Sequence, residues 1–212
     1  MSTAIRVGCL PGRGRSIRLK KPNSMNDPTD KLDAKPEILI SGIADRARNL
    51  YLTRQMLCTE AVVTAMNQGL KGGLTDVQAT AMSAPFCVAL GESGCLCGAL
   101  SGAVLATGLL IGKDGAYRHR KSMRDSARRL HDQFKSIHGA TCCRVLSKKV
   151  KHDKKVHFEH CASLTAQAAE MAARLVLEKR PELANQADHA FVNRRQSLVG
   201  GMLSRLAHLF SR

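Results

Sequence analysis

From Ser93 to Gly112 the chain runs SGCLCGALSGAVLATGLLIG, 20 residues without one charged side chain. Such a run must be withdrawn from water, either as a membrane span or as a helix buried in a protein core. Gly91 and Gly94 make a flexible turn ahead of it, because glycine has the greatest backbone freedom and holds a helix poorly. The apolar helix then runs from Cys97 to Ile111 and is closed by Gly112. That length, about 15 residues, falls short of the roughly 20 that a span requires and suits a core helix. Gly98, Gly102 and Ala106 fall on one stripe of it, which lets a second helix backbone come close, with Leu105 and Leu109 alongside.

The rest of the chain supplies helices to bury it. Hydrophobic residues make up 44% but aromatic residues only 3%, with no Trp, so Ala, Leu, Val and Met must fill the core, and these favour helices. Ile38, Ile43, Ala47, Leu50, Leu57, Ala61, Val62, Ala65 and Met66 recur at three- and four-residue steps. They predict one long amphipathic helix started by Pro36 and carrying Cys58. GLKGG ends it; Thr75 or Asp76 then caps a short helix that Pro85 stops. A basic helix is predicted from Tyr117 to about Ile137, broken by HGATCC, and another from His157 to Lys179, ended by Pro181. No strand-like alternation or fixed-period repeat stands out. The expected fold is all-α, a compact helical bundle over 36–182. A disordered basic arm is expected over 1–35 and a basic amphipathic helix over 183–212, the latter read from Phe191 to Phe210.

A formal net charge of +16 is unevenly spread. Residues 113–160 alone hold 14 Lys and Arg against 5 Asp and Glu, together with six of the eight His. This balance favours polyanions, an acidic protein partner or an anionic membrane surface. Nucleic acid ranks last, because the stretch from Lys113 to Lys155 and its flank offer only Tyr117, Phe134 and Phe158 as stacking platforms. The C-terminal helix suits an anionic bilayer, or its apolar side packs on the bundle or on a second subunit. Eight Cys without the apolar core of a secretory signal point to reduced thiols, metal or redox work in the cytoplasm.

The cysteines lie in LCTEAVV, in GESGCLCGALSGAVLATGLLIG, in the pair Phe134 and Cys143-Arg144, and in CASLTAQAAEMAARLV. This pattern resembles the C-GCAxxG-C-C family, named for four cysteines and related to the Fe–S domain of split-Soret cytochromes. The resemblance covers about residues 50–180, and its most specific block is Cys97-Gly98-Ala99 followed by Gly102-Ala103 and Gly108. It implies that Cys58, Cys97, Cys143 and Cys161 are the family cysteines, ligands of an iron–sulfur centre used for electron transfer or redox sensing rather than catalysis. Cys142 competes with Cys143 for one place, while Cys9, Cys87 and Cys95 have no counterpart. The split-Soret relatives carry c-type haem, but that needs C-x-x-C-H, and no such run exists here.

The four candidates are too far apart in sequence for a ferredoxin run or a zinc ribbon. Each must arrive from a different helix, as the ligands of bundle-core metal sites do. Cys97, at the start of its helix, should have a lowered pKa through the unpaired N–H groups there. Arg144 and nearby Lys and His would moderate the negative charge of a four-thiolate centre. A zinc site built from His157, His160 and Cys161 with Cys142 and Cys143 is an alternative. So is a metal-free thiol protein in which Cys97 or the vicinal Cys142 and Cys143 exchange disulfides.

Overall fold

The computed structural model of the chain describes residues 28–197, with side chains from Pro36 onward. The described residues form α1 (Pro28–Leu52), α2 (Cys58–Gly69), α3 (Asp76–Ser83), α4 (Cys87–Glu92), α5 (Gly98–Gly112), α6 (Ala116–His138), α7 (Cys143–Leu146), α8 (Lys154–Lys179) and α9 (His189–Val192). Short 3-10 turns at Ala84–Phe86 and Pro181–Gln186 connect them, and there is no strand among the described residues. The fold is all-α, as the patterning predicts.

The charge-free helix α5 sits at the centre, packed against α2, α6 and α8. Apolar on every side, it is buried except along Val104, Leu105, Gly108 and Leu109, which are half-buried. Leu100, Ala103, Ala106 and Leu110 of α5 are fully buried, beside Val62 and Met66 of α2, Leu130 and Phe134 of α6, and Ala168 and Val176 of α8. Among the described residues no helix is long and apolar enough to cross a membrane.

Inter-helix contacts fix the directions. Glu37 pairs with Arg174 at 2.5 Å and Arg48 with Glu159 at 3.0 Å, so α1 and α8 run antiparallel. Gly98 faces Cys58, and Gly102 faces Val62, so α2 and α5 run parallel. The Arg180 guanidinium, just beyond α8, donates to the Leu110 carbonyl at 2.9 Å near the end of α5, and Cys97 and Cys161 adjoin near the helix starts. Helices α2, α5 and α8 therefore direct their N-terminal ends toward one end of the bundle.

Helix ends follow local chemistry. Thr75 caps α3 in a reciprocal box with Gln78. Gly139 ends α6 with φ 76°, a left-handed conformation that suits glycine.

Three expectations need correction. The long helix predicted to carry Cys58 is two helices: Thr53 turns its hydroxyl onto the Asn49 carbonyl at 2.7 Å, Arg54 takes φ 54°, and Leu57 N–H is captured by Glu60 at 2.8 Å. Secondly, α1 starts at Pro28 rather than Pro36, which lies inside it. Pro28 meets the first-turn condition equally well; residues 1–27 lie outside the described residues. Thirdly, the helix read from Phe191 ends at Val192, and residues 194–197 are not helical. Their backbone is taken by α1 instead: Arg46 donates to the Arg194 carbonyl at 3.2 Å, and Asn49 exchanges hydrogen bonds with Gln196 at 3.0 Å. The remainder of the predicted C-terminal helix, from 198, lies outside the described residues.

Candidate functional site

Breaking the first long helix puts Cys58 on the first residue of α2. From there Thr59 donates its hydroxyl to the Gly98 carbonyl at 2.9 Å, holding the start of α2 against the start of α5. Gly98 is required at this contact, because a Cβ there would meet the Cys58 sulfur, Thr59 Oγ1 and the Phe86 carbonyl. Cys97 is the N-cap of α5, and its N–H donates to the Thr141 carbonyl at 2.8 Å. That bond ties it to the segment leading into Cys143, the first residue of α7. Cys161 lies in the second turn of α8.

All four of these cysteines line one cavity of about 20 Å3, together with His160, Leu146 and Leu164. That is room for about one water molecule. Among the described residues no three His, Cys, Asp or Glu side chains are grouped as ligands of a metal ion. The pocket lies where α2 and α5 begin, so the positive ends of their macrodipoles favour negative charge there.

Burial opposes that effect. It pushes the Cys97 thiol up to about 11, although the N–H groups of Leu100 and Ala99 pull the other way. The lowered pKa expected at this helix start is therefore corrected: desolvation exceeds the helix-end contribution. Cys161 is also pushed to about 11, mainly by burial and by Cys143, against a hydrogen bond from the Tyr51 hydroxyl. Cys143 is raised by burial. Cys58 alone of the four is lowered, because the Cys87 thiol hydrogen-bonds to it. Cys87, given no role by the sequence, is raised in turn by that same contact with Cys58.

Tyr51 was also missed. Its ring stacks on Phe158 at 4.8 Å between centroids while its hydroxyl meets Cys161. The only signal in the sequence is an aromatic beside the apolar position Leu50 in a chain that has just two Tyr.

Cys142 and Cys143 part company. Cys142 forms a disulfide with Cys95, their Cα atoms 4.5 Å apart, and Cys143 faces the pocket. The disulfide alternative, read for the vicinal Cys142 and Cys143, is corrected in its partner: Cys142 pairs with Cys95, and their 47-residue separation gives no local signal. Of the alternative zinc set, His160, Cys161 and Cys143 line the pocket, and His160 has a buried Nε2 without a hydrogen-bond partner. Arg144 lies across Gly94 and donates to the Ser93 carbonyl at 2.8 Å, at the rim. Beyond the pocket, Arg118, Arg120, Lys121, Arg124 and Arg128 are exposed along α6, as are Lys148, Lys149, Lys151, Lys154 and Lys155 between α7 and the start of α8.

The segment between Cys87 and Cys95 is locally left-handed. Val88, Ala89, Leu90 and Glu92 take φ between 51° and 69°, a conformation costing roughly 1–2 kcal/mol for each such residue. No sequence signal beyond Gly91 and Gly94 announces it.

No curated protein and no solved structure is significantly similar to the chain. The family model described as "Putative redox-active protein (C_GCAxxG_C_C)" matches residues 56–175, a span that contains Cys58, Cys97, Cys143 and Cys161. With more than half of its length matched, its CGA block at the start of α5 and four cysteines of that span around one pocket, the chain belongs to the C_GCAxxG_C_C family of redox-active proteins.

Proposed function

We propose that this redox-active protein binds an iron–sulfur centre through Cys58, Cys97, Cys143 and Cys161 and uses it to transfer electrons or to sense redox state. The observation that carries the reading is the meeting of these four thiols, from four separate elements, at one small cavity. The donor set fits: soft thiolates are the ligands of iron–sulfur centres. One further feature fits a guest, the buried and unpartnered Nε2 of His160.

When bound, such a centre would supply one-electron chemistry. The chain's own residues do the rest. The desolvated thiols of raised pKa, Cys97, Cys143 and Cys161, stay protonated until a metal ion takes the place of the proton, which passes to solvent, so binding releases protons and weakens as pH falls. Tyr51 orients Cys161, and the Cys87 thiol supports Cys58. A centre larger than one water needs a wider pocket. The wall able to give way is α7, which has no buried residue. The cationic residues from Arg144 to Lys155 adjoin that wall and suit an acidic redox partner.

Protein purified without oxygen is expected to show a visible absorbance that bleaches on dithionite addition and returns on reoxidation. Absence of any such reversible change overturns the proposal.

A further inference from the structure

We infer that the Cys95–Cys142 disulfide is a second redox site, a surface dithiol–disulfide couple that takes a dithiol reductant, and that its reduction loosens the wall carrying Cys143. The pair stands apart from the four pocket cysteines. Cys95 is exposed and Cys142 half-buried, so an incoming thiolate reaches Cys95 first. Each cysteine nevertheless lies one or two residues from a pocket thiol, Cys95 before Cys97 and Cys142 before Cys143.

What the bond holds is defined by its neighbours. The segments 93–97 and 141–144 lie side by side, joined by Cys97 N–H to the Thr141 carbonyl at 2.8 Å and Arg144 N–H to the Gly94 carbonyl at 3.1 Å. The Arg144 guanidinium adds a bond to the Ser93 carbonyl at 2.8 Å. The disulfide is the covalent member of this clasp. On one side the clasp runs into α5, whose core residues are buried; on the other it runs into α7, which has none. The three hydrogen bonds can each open and re-form without chemistry, whereas the disulfide stays closed until it is reduced, so the covalent bond controls the clasp.

The exchange balances as follows. A thiolate of the dithiol reductant attacks Cys95 Sγ; the Cys95–Cys142 bond breaks and Cys142 leaves as a thiolate that takes a proton. The reductant's second thiol then attacks its own sulfur in the mixed disulfide, releasing Cys95 as a thiol and leaving the reductant as a disulfide. Two electrons and two protons have passed to the protein. In a reducing compartment a bond of this kind is transient and regulatory rather than structural. Opening the clasp lets α7 move away from the pocket, and because a larger guest needs that wall to move, the couple would gate loading of the four-cysteine centre. That last consequence rests on the function proposed above; the couple and the loosening of α7 do not.

The test uses the full chain rendered metal-free. It is equilibrated in buffers of graded reduced-to-oxidised dithiothreitol ratio, its free thiols are trapped by alkylation, and each labelled cysteine is located by mass spectrometry. Cys95 and Cys142 are expected to become labelled together along one two-electron curve, while Cys58, Cys97, Cys143 and Cys161 are thiols across that range. Alkylation of Cys143 by a neutral reagent should accelerate roughly tenfold once the pair is reduced, and by as much in Cys95→Ser under oxidising conditions, because local opening is no longer restrained.

Should Cys95 and Cys142 label independently, the couple is wrong. An unchanged Cys143 rate in both the reduced wild type and Cys95→Ser would overturn the clasp. The reduced wild type gives the readout without a substitution, and since no metal is involved, failure here is separate from failure to bind iron.

Discussion

Cys97→Ser and Cys161→Ser proteins made without oxygen are expected to lose most of their iron and of their visible absorbance, while their far-ultraviolet circular dichroism stays that of the wild type. Serine is nearly isosteric with cysteine, so the bundle around it has no reason to collapse. What it lacks is a soft thiolate. Replacing even an outer partner of a metal ligand costs about 10–100-fold in affinity, so loss of a direct ligand costs at least that. Both positions face the pocket, Cys97 from the cap of α5 and Cys161 from the second turn of α8. Cys9→Ser, at a position without a family counterpart and outside the matched residues 56–175, serves as the control and should keep the full content. Full iron in both pocket variants would remove these residues from the ligand set.

The second large effect concerns folding, and its sign depends on a few tenths of an ångström. In a helix interior Gly→Ala ordinarily stabilises by up to about 1 kcal/mol. Gly108→Ala should follow that rule, since a Cβ there meets nothing within 4 Å. At Gly102 the same change puts a methyl 2.9 Å from the Thr59 carbonyl oxygen and 2.9 Å from Val62 Cβ. The oxygen belongs to backbone, so α2 and α5 must separate, and overpacking of this kind typically costs about 1–3 kcal/mol. Urea unfolding of the two variants should therefore move in opposite directions, Gly108→Ala to a higher midpoint and Gly102→Ala to a lower one. The separation also pulls Cys58 from Cys97, so iron retained by Gly102→Ala should fall with its stability. Equal midpoints for the two variants would contradict the close α2–α5 contact.

How much of this was legible beforehand depended on whether the signal was local. The central helix was, because a charge-free run with Gly98, Gly102 and Ala106 on one stripe has few other uses, and α2 packs on that stripe in the structure. The cap read at Thr75 or Asp76, which is Thr75 in the structure, and the break read at HGATCC, which falls at Gly139, were legible for equally local reasons. The break before Cys58 escaped notice because Leu50, Leu57 and Ala61 keep helical spacing across it. Its only trace is Glu60, three residues after Leu57, reaching back to an N–H that no Ser or Thr marks as a cap. The same limit applies to the C-terminal segment, where the apolar pattern from Phe191 reads as helix until Arg46 and Asn49 of α1 capture the backbone.

Within the site, the meeting of Cys58, Cys97, Cys143 and Cys161 was expected from the family pattern, and one pocket holds all four side chains. The roles of Cys87, Tyr51 and Cys95 were not legible, since each depends on a partner brought near only by folding: Cys58, Cys161 and Cys142 respectively. The direction of the Cys97 shift was misread for a related reason. A helix start is visible in sequence, whereas the depth to which it is buried is not, and here burial is the larger effect.

The central claim is tested most directly by measuring iron, acid-labile sulfide and zinc per chain, with a visible spectrum, on protein purified without oxygen. The account predicts iron and sulfide in matching amounts and a brown chromophore. Zinc without sulfide, or colourless protein free of both metals, would contradict it.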